Sequence, residues 1–335
     1  MTDISENSPN KVVETKEVIK KDFIPQFFPT YTTKRKLYPI PIIIVVLFSG
    51  ILAYLTYFEA GVQIDGGYFS ESEMGVLGGI LNGLIYTLLA VVFAFVIIFV
   101  IKKKGMGFLM YLFGFSFGLV IFFQTWFFGE IIIWLLFSRI PNLFYLFYIE
   151  LIFLTAILTI LMIYRYFTSK SIKTKNFIML YVGLLIGASM GVFMPLWTTL
   201  AILIGISCWD IFAVLYKHGP IKQLIELASK SEEGDDISDV DLKEKIKSGE
   251  YEYDTSKLEI GIGDLAFYSM LTSSALVQTS NVFVMILTAI AIIVGTGFTI
   301  SALKRNKLLP GLPISIFLGI GTMMLSWYLL AIVLA

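Results

Sequence analysis

The sequence predicts an all-α polytopic membrane protein, a bundle of nine transmembrane helices. Three observations carry that expectation. Of 335 residues, 57% are hydrophobic and only 15% are charged, with a mean hydropathy of +0.83. That leaves too few polar side chains to cover a water-soluble globule, and it excludes collagen-like repeats and disorder. Windows of roughly 20 apolar residues, the length a helix needs to cross the bilayer core, recur nine times. Finally, the basic residues fall between those windows in an alternating pattern.

Taken in order, residues 1–37 are polar and charged, with no early apolar run. They are expected to form a flexible cytoplasmic tail without a cleavable signal peptide, so that the first span serves as its own signal. The apolar windows then lie near 38–58, 76–101, 107–136, 142–167, 176–194, 196–216, 260–276, 281–302 and 310–334. Spans one to five make a first membrane part, 38–194. Spans six to nine make a second, 195–335, interrupted by one large soluble insertion at 217–257. That insertion has an acidic middle, SEEGDDISD, flanked by candidate short helices at Ile221–Ala228 and Val240–Ile246.

Short loops on the cytoplasmic side are enriched in Lys and Arg. With the amino terminus inside, the inner segments hold 24 of the 25 basic residues, and only Arg139 falls outside. The expected topology is therefore an odd number of spans, a cytoplasmic amino terminus and an extracytoplasmic carboxyl terminus.

Composition also narrows the chemistry. The formal net charge is zero, which gives no global field to attract nucleic acid. Cys208 is the sole cysteine and His218 the sole histidine. An intramolecular disulfide, a CxxC site, zinc chemistry and a Ser-His-Asp triad are thus disfavoured, and no metal or other cofactor is expected. Gly114/Gly118 and Gly183/Gly187/Gly191 recur at helical spacing, as close helix packing in lipid requires.

Ionisable groups within a span cost roughly 2.5–3.5 kcal/mol on insertion scales, so each is a functional candidate. Glu130 is expected near the outer interface, and Glu150 is expected to satisfy a partner inside the bundle. Asp210 precedes Lys217 by seven residues, and Asp264 follows Lys257 by seven. If both stretches are helical, each acid lies about 10 Å from the same membrane face, at ~1.5 Å per residue. Two carboxylates at equal depth on antiparallel helices can meet and share one proton, an acid and a base in one site. Such a pair could activate water against a peptide carbonyl. It could equally relay protons or cations, and depth alone does not separate the two.

Gly261 and Gly263 precede Asp264 and let a backbone approach closely. Pro310-Gly311-Leu312-Pro313 interrupts regular helix at the start of the ninth span, near the depth of Asp264. Such a break can pair with an extended peptide strand.

The ordered segments WDIFAVLYKHGPIKQLIELA, GIGDLAFYS and LPGLPISI resemble the presenilin family of GxGD intramembrane aspartyl proteases. Presenilins carry a Tyr-Asp followed by an AVL…KGP run, a GxGD followed by an aromatic-Tyr-Ser, and a Pro-Ala-Leu-Pro. The likeness is dense over about 200–325, and LNGLIYTLL in the second span is a weaker echo. The resemblance implies the presenilin and signal-peptide-peptidase type of bundle. It implies that Asp210 and Asp264 are the catalytic pair and that Gly261 and Gly263 of the second motif bind substrate together with Pro310, Gly311, Leu312 and Pro313, which anchor it. Trp209 stands where Tyr is usual and Gly311 where Ala is usual. The insertion lacks the hydrophobic self-cleaved segment of animal presenilins, which implies an uncut, microbial-type homologue working without partner subunits. Signal peptide peptidases share the acid pair in inverted orientation, whereas the basic residues here place the insertion inside. Prepilin peptidases carry a Lys shortly after the acid and a cysteine-rich loop, and this chain has neither.

The resulting expectation is an endopeptidase that cuts transmembrane helices of membrane-protein substrates within the lipid bilayer. Self-association is left open. A cation channel or proton-coupled transporter using the same acids is the rival reading, and a helix-binding scaffold is a third.

Overall fold

The computed structural model describes residues 30–216, 219–220, 257–303 and 310–334. The proposed short helices of the insertion, His218, the tail before Thr30 and the basic cluster at Lys304–Lys307 lie outside them. In chain order the elements are β1 (Thr30–Lys34), a 3-10 turn (Arg35–Leu37), α1 (Pro39–Tyr54), α2 (Glu71–Met74), α3 (Val76–Lys104), α4 (Met106–Phe137), α5 (Pro141–Thr168), α6 (Ile172–Phe193), α7 (Leu196–Leu215), β2 (Lys257–Gly261), α8 (Ile262–Thr279), α9 (Val282–Leu303) and α10 (Leu312–Leu334).

Each expected span has its helix, and the punctuation is local. Proline opens α5 at its first position and precedes α7 as its N-cap, where the missing N–H costs nothing. Gly105 separates α3 from α4 with φ +78°, a left-handed conformation that ends a helix cheaply only at glycine. α1 runs on as a single wider turn over Leu55–Glu59.

Among the described residues, eight helices are long and apolar enough to span a bilayer by length and composition. α8 is the ninth, and it differs for a physical reason. Its Ser269, Thr272, Ser273 and Ser274 are buried, because α8 sits at the centre and packs chiefly on α6 and α1. A helix solvated by protein need not be apolar all round when most of its hydroxyls find acceptors, as those of Ser269, Thr272 and Ser273 do, while the Ser274 hydroxyl has none among the described residues. Thr272 donates to the Tyr268 carbonyl at 3.0 Å, and Ser273 donates to Ser49 of α1 at 3.2 Å. Helices α3, α4 and α5 do the opposite and turn large apolar side chains outward, among them Phe93, Phe99, Phe115, Phe153 and Ile160. In lipid that is the favourable arrangement.

The glycine stripe on α6 makes the central contact. A Cβ at Gly187 would collide with Ser269, and one at Gly191 would lie 2.5 Å from the Ser273 Cβ, so only glycine lets the two backbones approach this closely. On α4, Gly114 and Gly118 do likewise against Phe167 and Ile163 of α5. One apolar core, including Ile42, Leu200, Leu271, Ile292 and Ile316, joins α1, α7, α8, α9 and α10. Asn82, in the LNGL segment, is buried. It donates to the Phe69 carbonyl at 2.8 Å and to Thr198 at 3.0 Å, fastening the α2 loop to α7.

The end of the stretch read as a tail is a strand. β1 pairs antiparallel with β2, Tyr31 opposite Ile260. On the other edge of β1, the Asn176 amide donates to the Thr32 carbonyl at 2.7 Å and accepts from its N–H at 2.9 Å, which closes that edge. This strand corrects the depth argument for Asp264. Residues 257–261 are extended, so the seven residues after Lys257 are not two helical turns, and Asp264 lies in the first turn of α8.

Candidate active site

Three chain segments far apart in sequence build the site. Asp210 lies on α7, five residues before its last residue, Leu215. Gly261 ends β2 and caps α8 in an extended conformation, which sets Asp264 in the first helical turn, where free backbone N–H groups favour an acidic side chain. Pro310-Gly311 leads into α10, which begins at Leu312.

The proline-glycine break touches both acids. The Leu312 N–H donates to Asp210 Oδ2 at 3.3 Å, and the Gly311 amide is also directed to that carboxylate. Regular helix would have turned these amides into its own ladder; at a helix start they are free. On the other side, a Cβ added at Gly311 would stand 3.3 Å from Asp264 Oδ2. The same short stretch of backbone thus lies against both carboxylates. Both are half-buried, while Gly263 is exposed, so the pair borders an opening rather than a sealed core.

Of the residues singled out in the sequence, Asp210, Asp264, Gly261, Gly311 and Leu312 converge. Gly263 lies on the open side and packs near Phe267, with 3.8 Å between a built Cβ and that ring. Pro310 and Pro313 bracket the break. Glu150 does not belong to the site. It is exposed on α5, correcting the expectation of a partner inside the bundle, because its helix face looks outward. Glu130 on α4 is half-buried. Among the described residues, no three His, Cys, Asp or Glu side chains converge as a metal-ligand set.

Sequence reasoning missed the support behind the acids. Tyr268, one turn after Asp264, is buried, and its hydroxyl donates to Ser315 Oγ at 3.3 Å; Ser315 in turn shares a 3.0 Å hydrogen bond with Thr296. This chain ties α8 to α10 and α9 directly behind the carboxylates. The aromatic-Tyr-Ser following GxGD was the visible signal, but Thr296 and Ser315 carry none that isolates them. Also missed was Glu71 of α2. Its carboxylate accepts from the Trp197 and Thr198 N–H groups at 3.2 and 2.5 Å, capping the far end of the helix that carries Asp210.

The fold and site together define a polytopic helical membrane protein with two carboxylates inside its bundle, bridged by an interrupted helix start. The presenilin family model matches residues 42–237 and 231–333, and the chain belongs to that family. A curated relative, Presenilin-B of Dictyostelium discoideum, is 41% identical over 132 residues, which cover 38% of this chain and 25% of that protein. The chain thus matches about a quarter of that relative's length. A solved structure described as a presenilin family intramembrane aspartate protease superposes with a TM-score of 0.50 at 14% identity, over 87% of this chain and 97% of the other. The fold is therefore shared, and the protein is an integral multi-pass membrane protein.

Proposed function

We propose that the protein is an intramembrane aspartyl endopeptidase that hydrolyses peptide bonds within transmembrane helices of other membrane proteins, with Asp210 and Asp264 as its catalytic pair. The observation that carries the reading is the Pro310–Pro313 break, which reaches both acids at once: Leu312 holds Asp210 by its N–H, and Gly311 abuts Asp264. A relay of protons or ions needs acids in series; it does not need the bend and first amide of a helix start set against both of them.

In the proposed reaction the pair holds one proton. The ionised member takes a proton from water as its oxygen bonds to the scissile carbonyl carbon, and the protonated member gives its proton to the carbonyl oxygen. The tetrahedral diol then collapses. Its C–N bond breaks, a proton passes from the pair to the leaving nitrogen, and the diol returns one proton to the pair, leaving a carboxyl and an amine product. The Gly311 and Leu312 amides orient Asp210, and the first turn of α8 fixes Asp264. Substrate reaches the pair as an unwound strand beside Pro310–Pro313, since a helix has no free carbonyl to present. The proposed orientation places β1, β2 and the acids toward the cytoplasmic face, in keeping with the distribution of basic residues.

The test is cleavage of a tagged single-span substrate by the full chain in liposomes, with products sized by mass spectrometry. Cleavage within the span, abolished by Asp210→Asn and by Asp264→Asn separately, is expected. Cation flux that either substitution removes, with no proteolysis by the parent, would instead favour the transporter reading.

A further inference from the structure

The turn before α1 forms a cationic cleft that the proposed peptidase chemistry does not use. Lys34, Arg35 and Lys36 are consecutive, and they line a cleft of about 1090 Å³ whose other wall is the end of α9, including Val294, Phe298 and Ile300. This is at or above the usual size of a small-molecule site, about 300–1,000 Å³. Its two halves differ in chemistry. Lys34 and Lys36 are exposed at the mouth, where α1 enters the membrane, while Val294 and Phe298 expose apolar surface along α9 at 47% and 60%.

The cleft is built rather than incidental. The Tyr38 hydroxyl donates to the Ile293 carbonyl at 3.2 Å, and it fits only because residue 297 is glycine, since a Cβ there would lie 2.5 Å from that oxygen. Arg35 Nη2 donates to the Ile300 carbonyl, pinning the guanidinium to the wall. Its Nε is shut off from solvent and has no hydrogen-bond partner among the described residues. A buried donor without an acceptor is costly, and guanidinium geometry matches phosphate oxygens through paired N–H groups. With Nη2 held on Ile300, Arg35 adds a fixed positive charge to the wall between Lys34 and Lys36.

We propose that this cleft binds one anionic phospholipid, its phosphate held by Lys34, Arg35 and Lys36 and an acyl chain lying along Val294 and Phe298. The charge above and the apolar wall below, at the depth where a span begins, match a lipid and not a free anion. With the orientation proposed above, the ligand comes from the cytoplasmic leaflet, where anionic headgroups attract basic segments.

The test is native mass spectrometry of the delipidated full chain titrated with phosphatidylglycerol or phosphatidylcholine. Cleavage activity does not enter this readout, so it can fail independently of the peptidase reading. Preferential retention of one phosphatidylglycerol is expected. Lys34→Gln/Lys36→Gln leaves the Arg35–Ile300 contact intact and should weaken that binding by about 25-fold, at about fivefold per cation. Lys103→Gln/Lys104→Gln, on a separate basic cluster, should leave it unchanged. Equal retention of the two lipids, or equal loss in both double variants, would overturn the proposal. Displacement of the lipid by millimolar inorganic phosphate would also overturn it, because the site would then be one for the free anion.

Discussion

Gly311 is the position at which a single atom tests the proposed geometry. A Cβ there would lie 3.3 Å from Asp264 Oδ2, just inside ordinary van der Waals contact, so Gly311→Ala asks the carboxylate to yield by about 0.3 Å. If a displacement of about 1 Å at a reacting group costs about 100-fold, that shift costs about 0.8 kcal/mol, or about fourfold in rate. Gly311→Val adds two γ-carbons with a restricted rotamer, and one of them must point toward an acid. A shift approaching 1 Å follows, and with it a loss of about 100-fold. The assay is initial cleavage rate in liposomes at saturating substrate, alongside thermal unfolding in detergent. Gly311 is not in a left-handed conformation and is half-buried, so the midpoint of unfolding should hardly move. A Val variant that cleaves at the parent rate would refute the reasoning, since the break could not then abut Asp264 in the working enzyme. Graded loss, Ala mild and Val severe on an unchanged fold, is the expected result.

Three further outcomes are expected. Gly187→Leu forces α6 away from Ser269 and should cost about 1–3 kcal/mol by overpacking, or more because backbone must move, read by reversible unfolding in mixed detergent. Tyr268→Phe removes the donor to Ser315 while leaving Ser315 with Thr296; it should lose about 0.5–1.5 kcal/mol of stability and lower kcat more than it raises KM. Glu71→Ala strips the cap from α7 and should cost about 0.5–2 kcal/mol, seen as faster hydrogen exchange at the Trp197 and Thr198 amides.

The legible part of the fold was the part governed by solvent. Lipid demands long apolar runs, so spans such as 142–167 and 281–302 match their helices to within two residues, and Pro195 marks the α6–α7 break as its missing donor requires. α8 was legible by position only, since its Ser and Thr residues look unsuited to a membrane until α6 and α1 are seen to enclose it. The strand at Thr30–Lys34 was not legible. Its partner lies more than 200 residues away, and a short polar stretch carries no mark of the edge it will join. Glu150 misled because residue type reveals depth within a span but not the direction a helix face looks.

Sequence by itself therefore determined what lipid and backbone chemistry dictate locally: the spans, their breaks, the stripe of glycines on α6 and the three motifs in order. It also named Asp210, Asp264 and the Pro310–Pro313 interruption, because residues that are costly or helix-breaking within a span stand out against an apolar background. What only the tertiary structure decided is how those motifs meet. The Leu312 amide on Asp210, Gly311 against Asp264, the Tyr268–Ser315–Thr296 chain and the pinning of Arg35 on α9 all join residues distant in the chain. Such pairings are set by which helices pack against which, and each depends on the sum of many weak contacts, which no one residue's pattern encodes.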